Sequence, residues 1–207
     1  MSAPLLKQVE RGVSLLREGR VVAYPTDTLY GLGADFACLP AVQRVLEIKG
    51  RPQEMGMPLL LSDFSQLPIV AEGLSEAALL LAERFWPGAL TLVVRRSARV
   101  PDMVTGGRDT VAVRAPAHPV PIALASGLGR PITGTSANNT GQPPATTAQE
   151  VVRQLDKRVD LVIDGGPLPI GLASTIVDAT GEPLKVLRLG AISLEALRAA
   201  YPGHIEG

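Results

Sequence analysis

The sequence predicts an α/β fold: a twisted sheet of mixed parallel and antiparallel strands flanked by helices. Apolar residues recur at helical spacing in some segments and as short unbroken runs in others. The two kinds of segment do not alternate strictly, which argues against a doubly wound parallel sheet. Glycine and proline, 21 and 18 of the 207 residues, cluster between the apolar segments as shaped turns.

In chain order, Leu5, Leu6, Val9, Val13 and Leu16 lie on one helical face, and Gly19 is placed to end that helix. Residues 20–24 read as a buried strand stopped by Pro25, which opens into the polar loop Thr26, Asp27, Thr28. Residues 41–48 read as a helix with Val42, Val45 and Leu46 inward, carrying Lys49, Gly50, Arg51 and Pro52 at its C-terminal end. A short strand is expected at 59–61, and Ser75 is placed to cap a helix running to about residue 85. Trp86, Pro87 and Gly88 break that helix before the apolar run 89–94, expected as a central strand. Further strands are expected at 110–114, 131–134, 161–163, 175–178 and 185–189, with helices from Val120 and from Thr147 between them and a last helix capped by Ser193. No repeat or break divides the chain, so residues 1–207 are expected to form one domain.

Hydrophobic residues make up 46% of the chain, enough for a proper core. The 20 basic and 20 acidic residues cancel, so a protein that coats nucleic acid or membrane through a long-range field is excluded and any RNA contact must be local. Aromatic residues, at 3%, are too few for a base-stacking surface. Cys38 is the one cysteine, which rules out an internal disulfide and a Cys-rich zinc site. Neither a signal peptide nor a membrane span is apparent, and a cytosolic location is expected.

Polar and glycine-rich stretches follow several of the apolar strands, at 26–33, 134–141 and 164–174, and strand ends are where α/β proteins gather ligands. The first stretch reads equally as a tight turn using Pro25, Gly31 and Gly33 or as a loop aiming the Thr28 hydroxyl at a ligand. Lys49 and Arg51 either offset a helix macrodipole or hold phosphate; their spacing is not that of a P-loop. The stretch 134–141 has hydroxyls, amides and glycines suited to phosphate oxygens, or to a polar turn. Arg114, at the end of an apolar strand, needs an anion, supplied by an internal carboxylate or by a substrate. His118 reads as structural, because no Ser or Cys nucleophile has a fitting setting, and His204 as solvated near a loose C-terminus. Asp27, Asp164 and Asp178 lack the spacing of metal ligands, so no permanent metal site is expected.

Together the blocks YPTDTLYGLG, KGRP, PGALTLVV, VAVRAPAHP, TGTSANNTGQPPATT, GLASTIVD and VLRLG resemble the YrdC-type threonylcarbamoyl-adenylate synthase family, in order and over nearly the whole chain. The resemblance implies a twisted sheet around a positively lined cavity, in the short form without an extra C-terminal domain. It places Lys49, Arg51, Ser136 and Asn138 on the nucleotide as the catalytic set, with Thr110 and Arg188 also on the ATP side. Thr28, Arg114, Ser174 and the backbone at Gly134 fall in a threonine pocket, with Ser62 where some members have a histidine. The chain departs from the pattern in the longer run 53–57 and in Pro144, where a serine is frequent.

By the same resemblance ATP, L-threonine and bicarbonate are the expected substrates, with Mg2+ travelling on the ATP phosphates. The expected product is threonylcarbamoyl-AMP, passed to a downstream transferase that modifies the tRNA adenosine next to the anticodon. The competing readings are an RNA-binding module and a carbamoyl-transfer enzyme with another acceptor.

Overall fold

The computed structural model describes residues 1–50, 53–168 and 172–207. The helices in it are α1 (Ala3–Arg17), α2 (Leu39–Lys49), α3 (Leu67–Val70), α4 (Glu76–Phe85), α5 (Asp102–Thr105), α6 (Pro119–Leu128), α7 (Ala148–Leu155) and α8 (Leu194–Ala200). The strands are β1 (Val22–Tyr24), β2 (Gly31–Gly33), β3 (Leu59–Leu60), β4 (Leu90–Arg95), β5 (Thr110–Arg114), β6 (Ile132–Thr133), β7 (Thr135–Ser136), β8 (Leu161–Val162), β9 (Thr175–Asp178), β10 (Leu184–Arg188) and β11 (Ile205–Glu206). None of the helices is long and apolar enough to cross a membrane.

Helix starts follow local chemistry. Ser2, Ser75 and Ser193 each accept a backbone N–H of the first turn, and Thr147 with Glu150 forms a reciprocal capping box on α7. His118 caps α6 through its ring Nδ1, which accepts the Val120 N–H at 3.2 Å. At the other end of α2, Gly50 takes φ +57°, a left-handed turn that stops the helix directly after Lys49.

The strands are mixed parallel and antiparallel, as expected, but their hydrogen bonding divides into two sheets. Seven strands run in the order β11-β10-β9-β4-β5-β3-β6, and four in the order β7-β2-β1-β8. A bridge between Asp35 and Ile132 and the bond from Thr133 N–H to the Ala34 carbonyl join them. The run expected as central is β4, with three strands on either side. Its Leu90, Leu92 and Val94 enter the main core with Leu81 and Ala82 of α4, while the alternate Thr91 faces the other way. A second core cluster packs Val9 and Leu16 of α1 with Leu124 and Leu128 of α6 under Val22, Tyr24 and Ile132.

Two segments read as turn or ligand loop contain strands. β2 pairs antiparallel with β1, and β7 pairs with β2. The glycines of β2 are required by the Tyr24 ring: a Cβ at Gly33 would lie 2.5 Å from Tyr24 Cε1, and one at Gly31 would lie 2.9 Å from Cε2. The C-terminus is not loose, because β11 pairs parallel with β10, although His204 is exposed as expected.

Candidate functional site

Strand register builds the site. Arg188 of β10 is paired with Ile176 of β9, Ile176 with Thr91 of β4, and Arg114 of β5 with Leu60 of β3. One step beyond the Leu92–Val113 pair, Thr91 and Arg114 are next on their strands, so all five side chains form a row on one face of the larger sheet. The 26–31 loop and β2, together with residues 134–136 and Pro144, stand over that row and enclose a cavity of about 250 Å³.

Arg114 is 5% exposed and tightly held. Its Nη2 donates to Asp27 Oδ1 at 2.6 Å, its Nη1 to Thr28 Oγ1 at 2.9 Å and its Nε to the Gly88 carbonyl at 2.8 Å. A guanidinium has five N–H donors, so two remain for a ligand. The internal carboxylate and the substrate anion foreseen as alternatives for Arg114 are therefore compatible. Burial lowers the Arg114 pKa, and the charge of Asp27 opposes that shift. Arg188 stands on the other side of the cavity, donating to the backbone and hydroxyl oxygens of Ser174 through Nη2 at 2.8 and 3.3 Å. Burial also lowers its pKa, followed by the repulsion of Arg114. No carboxylate pairs with Arg188 among the described residues.

Lys49 lies behind Ser136, 6% exposed. Its Nζ donates to the backbone oxygens of Ser136 and Asn138, each at 2.7 Å, and to Asn138 Oδ1 at 2.6 Å. The Ser136 hydroxyl donates to that same amide oxygen at 2.6 Å. Thr140 Oγ1 bonds the Lys49 carbonyl, and Arg158 bridges the Ile48 carbonyl and the Asn139 side chain, so the end of α2 and the 134–141 stretch form one unit. From sequence, Lys49 reads as offsetting the helix macrodipole or as holding phosphate. In the structure its ammonium is turned toward the 136–138 backbone and the Asn138 amide.

Of the residues singled out from sequence, Thr28, Arg114, Gly134, Ser136, Ser174 and Arg188 line the cavity. Lys49 and Asn138 join it through Ser136. Gly134 already donates its N–H to the Pro58 carbonyl, so what it can add is its own carbonyl oxygen. Thr110 is elsewhere, lining an adjoining groove of about 490 Å³ that shares Pro58 and Ile176 with the cavity. Ser62 is not in the cavity wall; its N–H goes to Gln66 Oε1 and its hydroxyl to the Asp63 carboxylate. Arg51, and Gly171 at the start of the GLASTIVD block, lie outside the described residues.

Sequence reasoning missed Asp27 as the partner of Arg114, and it missed Thr91, Tyr30 and Ile176 in the cavity wall. Thr91 had a signal: it is the one hydroxyl inside the apolar run of β4. No group of three or more His, Cys, Asp or Glu side chains among the described residues could hold a metal ion. His118 is half-buried and serves as a cap, in keeping with its structural reading.

Comparison with known proteins places the chain in a family. Residues 14–190 match the Sua5/YciO/YrdC family, described as telomere recombination. The chain is 43% identical over 190 residues to the threonylcarbamoyl-AMP synthase of Pyrococcus abyssi, covering 92% of itself but only 56% of that protein. It is 41% identical over 188 residues to the threonylcarbamoyl-AMP synthase of Vibrio cholerae, covering 90% of itself and 99% of that protein. The crystal structure of P. abyssi Sua5 complexed with L-threonine superposes with a TM-score of 0.92 at 41% identity, over 96% of this chain and 58% of that one. The chain thus spans a little over half the length of the archaeal relative. With its match over residues 14–190 and these identities, the chain belongs to the Sua5/YciO/YrdC family.

Proposed function

We propose that this chain condenses L-threonine, bicarbonate and ATP into threonylcarbamoyl-AMP and pyrophosphate, a nucleotidyl transfer. The observation that carries this reading is the charge of the cavity: two arginines converge on it, and among the described residues Asp27 is the one carboxylate paired with either. Such a site keeps a net positive charge and favours an anionic ligand. Relatives named threonylcarbamoyl-AMP synthase, and one crystallised with L-threonine, support the choice of ligand.

In this reading the two unused donors of Arg114 take the α-carboxylate of threonine. Thr28 and Ser174 offer hydroxyls to its side chain, and the Gly134 carbonyl is an acceptor for its amine. Bicarbonate releases CO2 and hydroxide, and the neutral amine bonds the CO2 carbon and loses a proton that turns the hydroxide into water, giving a carbamate. A carbamate oxygen then bonds to the α-phosphorus of ATP as the bond to the bridging oxygen breaks and pyrophosphate leaves. No protein nucleophile takes part.

The chain's contribution is to position three reactants and to stabilise charge at phosphorus. Arg188, Lys49 and Arg51 are the cations for that purpose, with Ser136 and Asn138 holding Lys49 in place. A phosphate oxygen is a stronger acceptor than a carbonyl and would draw the Lys49 ammonium from its present partners. A nucleotide too large for 250 Å³ would occupy as well the groove containing Thr110, which shares Pro58 and Ile176 with the cavity. Mg2+ fits as an ion carried by ATP rather than by a protein cage, since the described residues gather no carboxylate cluster. The mixed anhydride would then pass to a transferase acting on the tRNA adenosine next to the anticodon.

Pyrophosphate release tests the reading. It should require threonine and bicarbonate together, and rapid release with ATP alone would show a simple ATPase instead.

A further inference from the structure

β4 is apolar along its buried length except at Thr91, which is 2% exposed and faces the cavity. A buried hydroxyl on a central strand costs free energy unless it is hydrogen-bonded, and valine would fill the same shape without that cost. The hydroxyl of Thr91 therefore calls for a partner, and it has one. Its Oγ1 lies 2.8 Å from the Ser174 hydroxyl, which itself accepts from Arg188 Nη2 at 3.3 Å.

Two hydroxyls together hold two protons and four lone pairs. The bond between them uses one of each, and Arg188 uses one further lone pair. One donor and two acceptor positions are left, and no described residue takes them. Either hydroxyl can donate to the other, so the spare proton can be presented from Thr91 or from Ser174. The complement of such a pair is a ligand group that both donates and accepts, and among small amino-acid side chains an alcohol is the most compact group that does so. An ammonium or a carboxylate would match only half of it, and a methyl none.

The pair is also well placed. Thr91 is next to Arg114 in the row across the sheet, on neighbouring strands whose facing side chains stand about 4.5–5.5 Å apart. A single small molecule can therefore reach both. Ile176, paired with Thr91 on the far side, offers an apolar contact for a methyl group.

We propose that Thr91 determines specificity: with Ser174 it forms a hydroxyl pair that reads the side-chain alcohol of a small hydroxy-amino acid whose carboxylate Arg114 holds. This rests on the amino-acid reading of the cavity given above. It adds a residue to the recognition of the side chain and states what that residue recognises.

The test compares L-threonine with L-valine, which differ by a hydroxyl against a methyl, in equilibrium binding to the full chain by calorimetry with a non-hydrolysable ATP analogue present. Wild type should prefer threonine by at least about tenfold, because valine leaves the pair's spare donor without a partner. Thr91→Val should bring the two affinities within about threefold of each other, while Thr91→Ser, which keeps the hydroxyl, should retain the preference. A role in packing alone would alter both affinities together and leave their ratio unchanged. If Thr91→Val does not fold, Thr91→Ala removes the same hydroxyl and should give the same collapse of the ratio. An undiminished preference in a folded hydroxyl-free variant would overturn the inference while leaving the amino-acid reading intact. A wild type that binds neither amino acid would overturn both.

Discussion

Removing Asp27 should strand the Arg114 guanidinium in the interior. The two side chains are 13% and 7% exposed and meet at 2.6 Å. Breaking such a buried pair by deleting one partner costs about 3–5 kcal/mol, because the remaining charge is left uncompensated. For a chain of 207 residues each kcal/mol moves the melting temperature by about 2–4 °C, so Asp27→Ala should lower Tm by roughly 6–20 °C. Arg114→Leu leaves Asp27, Thr28 Oγ1 and the Gly88 carbonyl without their donors, and should cost a similar amount. The double variant loses the pair as a unit. Its destabilisation should therefore fall short of the sum of the single effects by about 0.5–3 kcal/mol. Denaturant unfolding of the four ligand-free proteins gives this coupling directly. Asp27→Asn, which keeps an acceptor for Nη2, should be milder than Asp27→Ala. Additivity of the two single deletions within the error of the cycle would refute the view that Asp27 and Arg114 form one buried unit.

Two further outcomes are expected. Lys49→Ala and Arg51→Ala should each lower adenylate formation by at least about tenfold, and Arg51→Lys should stay impaired because a point charge cannot reproduce a planar fork. Steady-state rates check this, with activity within about twofold of wild type in both alanine variants removing them from the phosphate site. His118 should make stability depend on pH. Burial holds its folded-state pKa below the ordinary 6.5, the charge of Asp27 opposing, and its Nδ1 must stay unprotonated to accept the Val120 N–H. In that window the unfolded chain binds more protons, so this contribution is complete above 6.5 and is lost as pH falls through the depressed value. The denaturation midpoint should drop on acidification, and His118→Asn, which caps α6 without titrating, should flatten that part of the slope; an unchanged slope would contradict the assignment.

The parts of the fold written locally were legible in the sequence. Ser75, Thr147 and Ser193 cap helices because their side chains bond the first turn, and the apolar run of β4 marks the middle of a sheet. β2 and β7 were not legible, because glycines and hydroxyls read as turns until the Tyr24 ring that needs those glycines is in place. The division into two sheets joined at Asp35 and Ile132 depends on pairings distant in sequence, which no local pattern carries. In the site, Arg114 announced itself as a cation ending an apolar strand. Its partner Asp27, 87 positions earlier, did not, since one acidic residue in a polar loop resembles any other. Thr110 and Ser62 lie outside the cavity wall, a placement that no local pattern carries: the one lies in the adjoining groove and the other turns to Gln66 and Asp63.

The central claim is that ATP, L-threonine and bicarbonate are joined in this cavity, and the most direct measurement is mass detection of the adenylate product. With purified chain, ATP, Mg2+, L-threonine and isotopically labelled bicarbonate, the account predicts threonylcarbamoyl-AMP carrying the label, formed only when all three substrates are present. Pyrophosphate accumulating without that labelled adenylate, or an adenylate lacking the label, would contradict it.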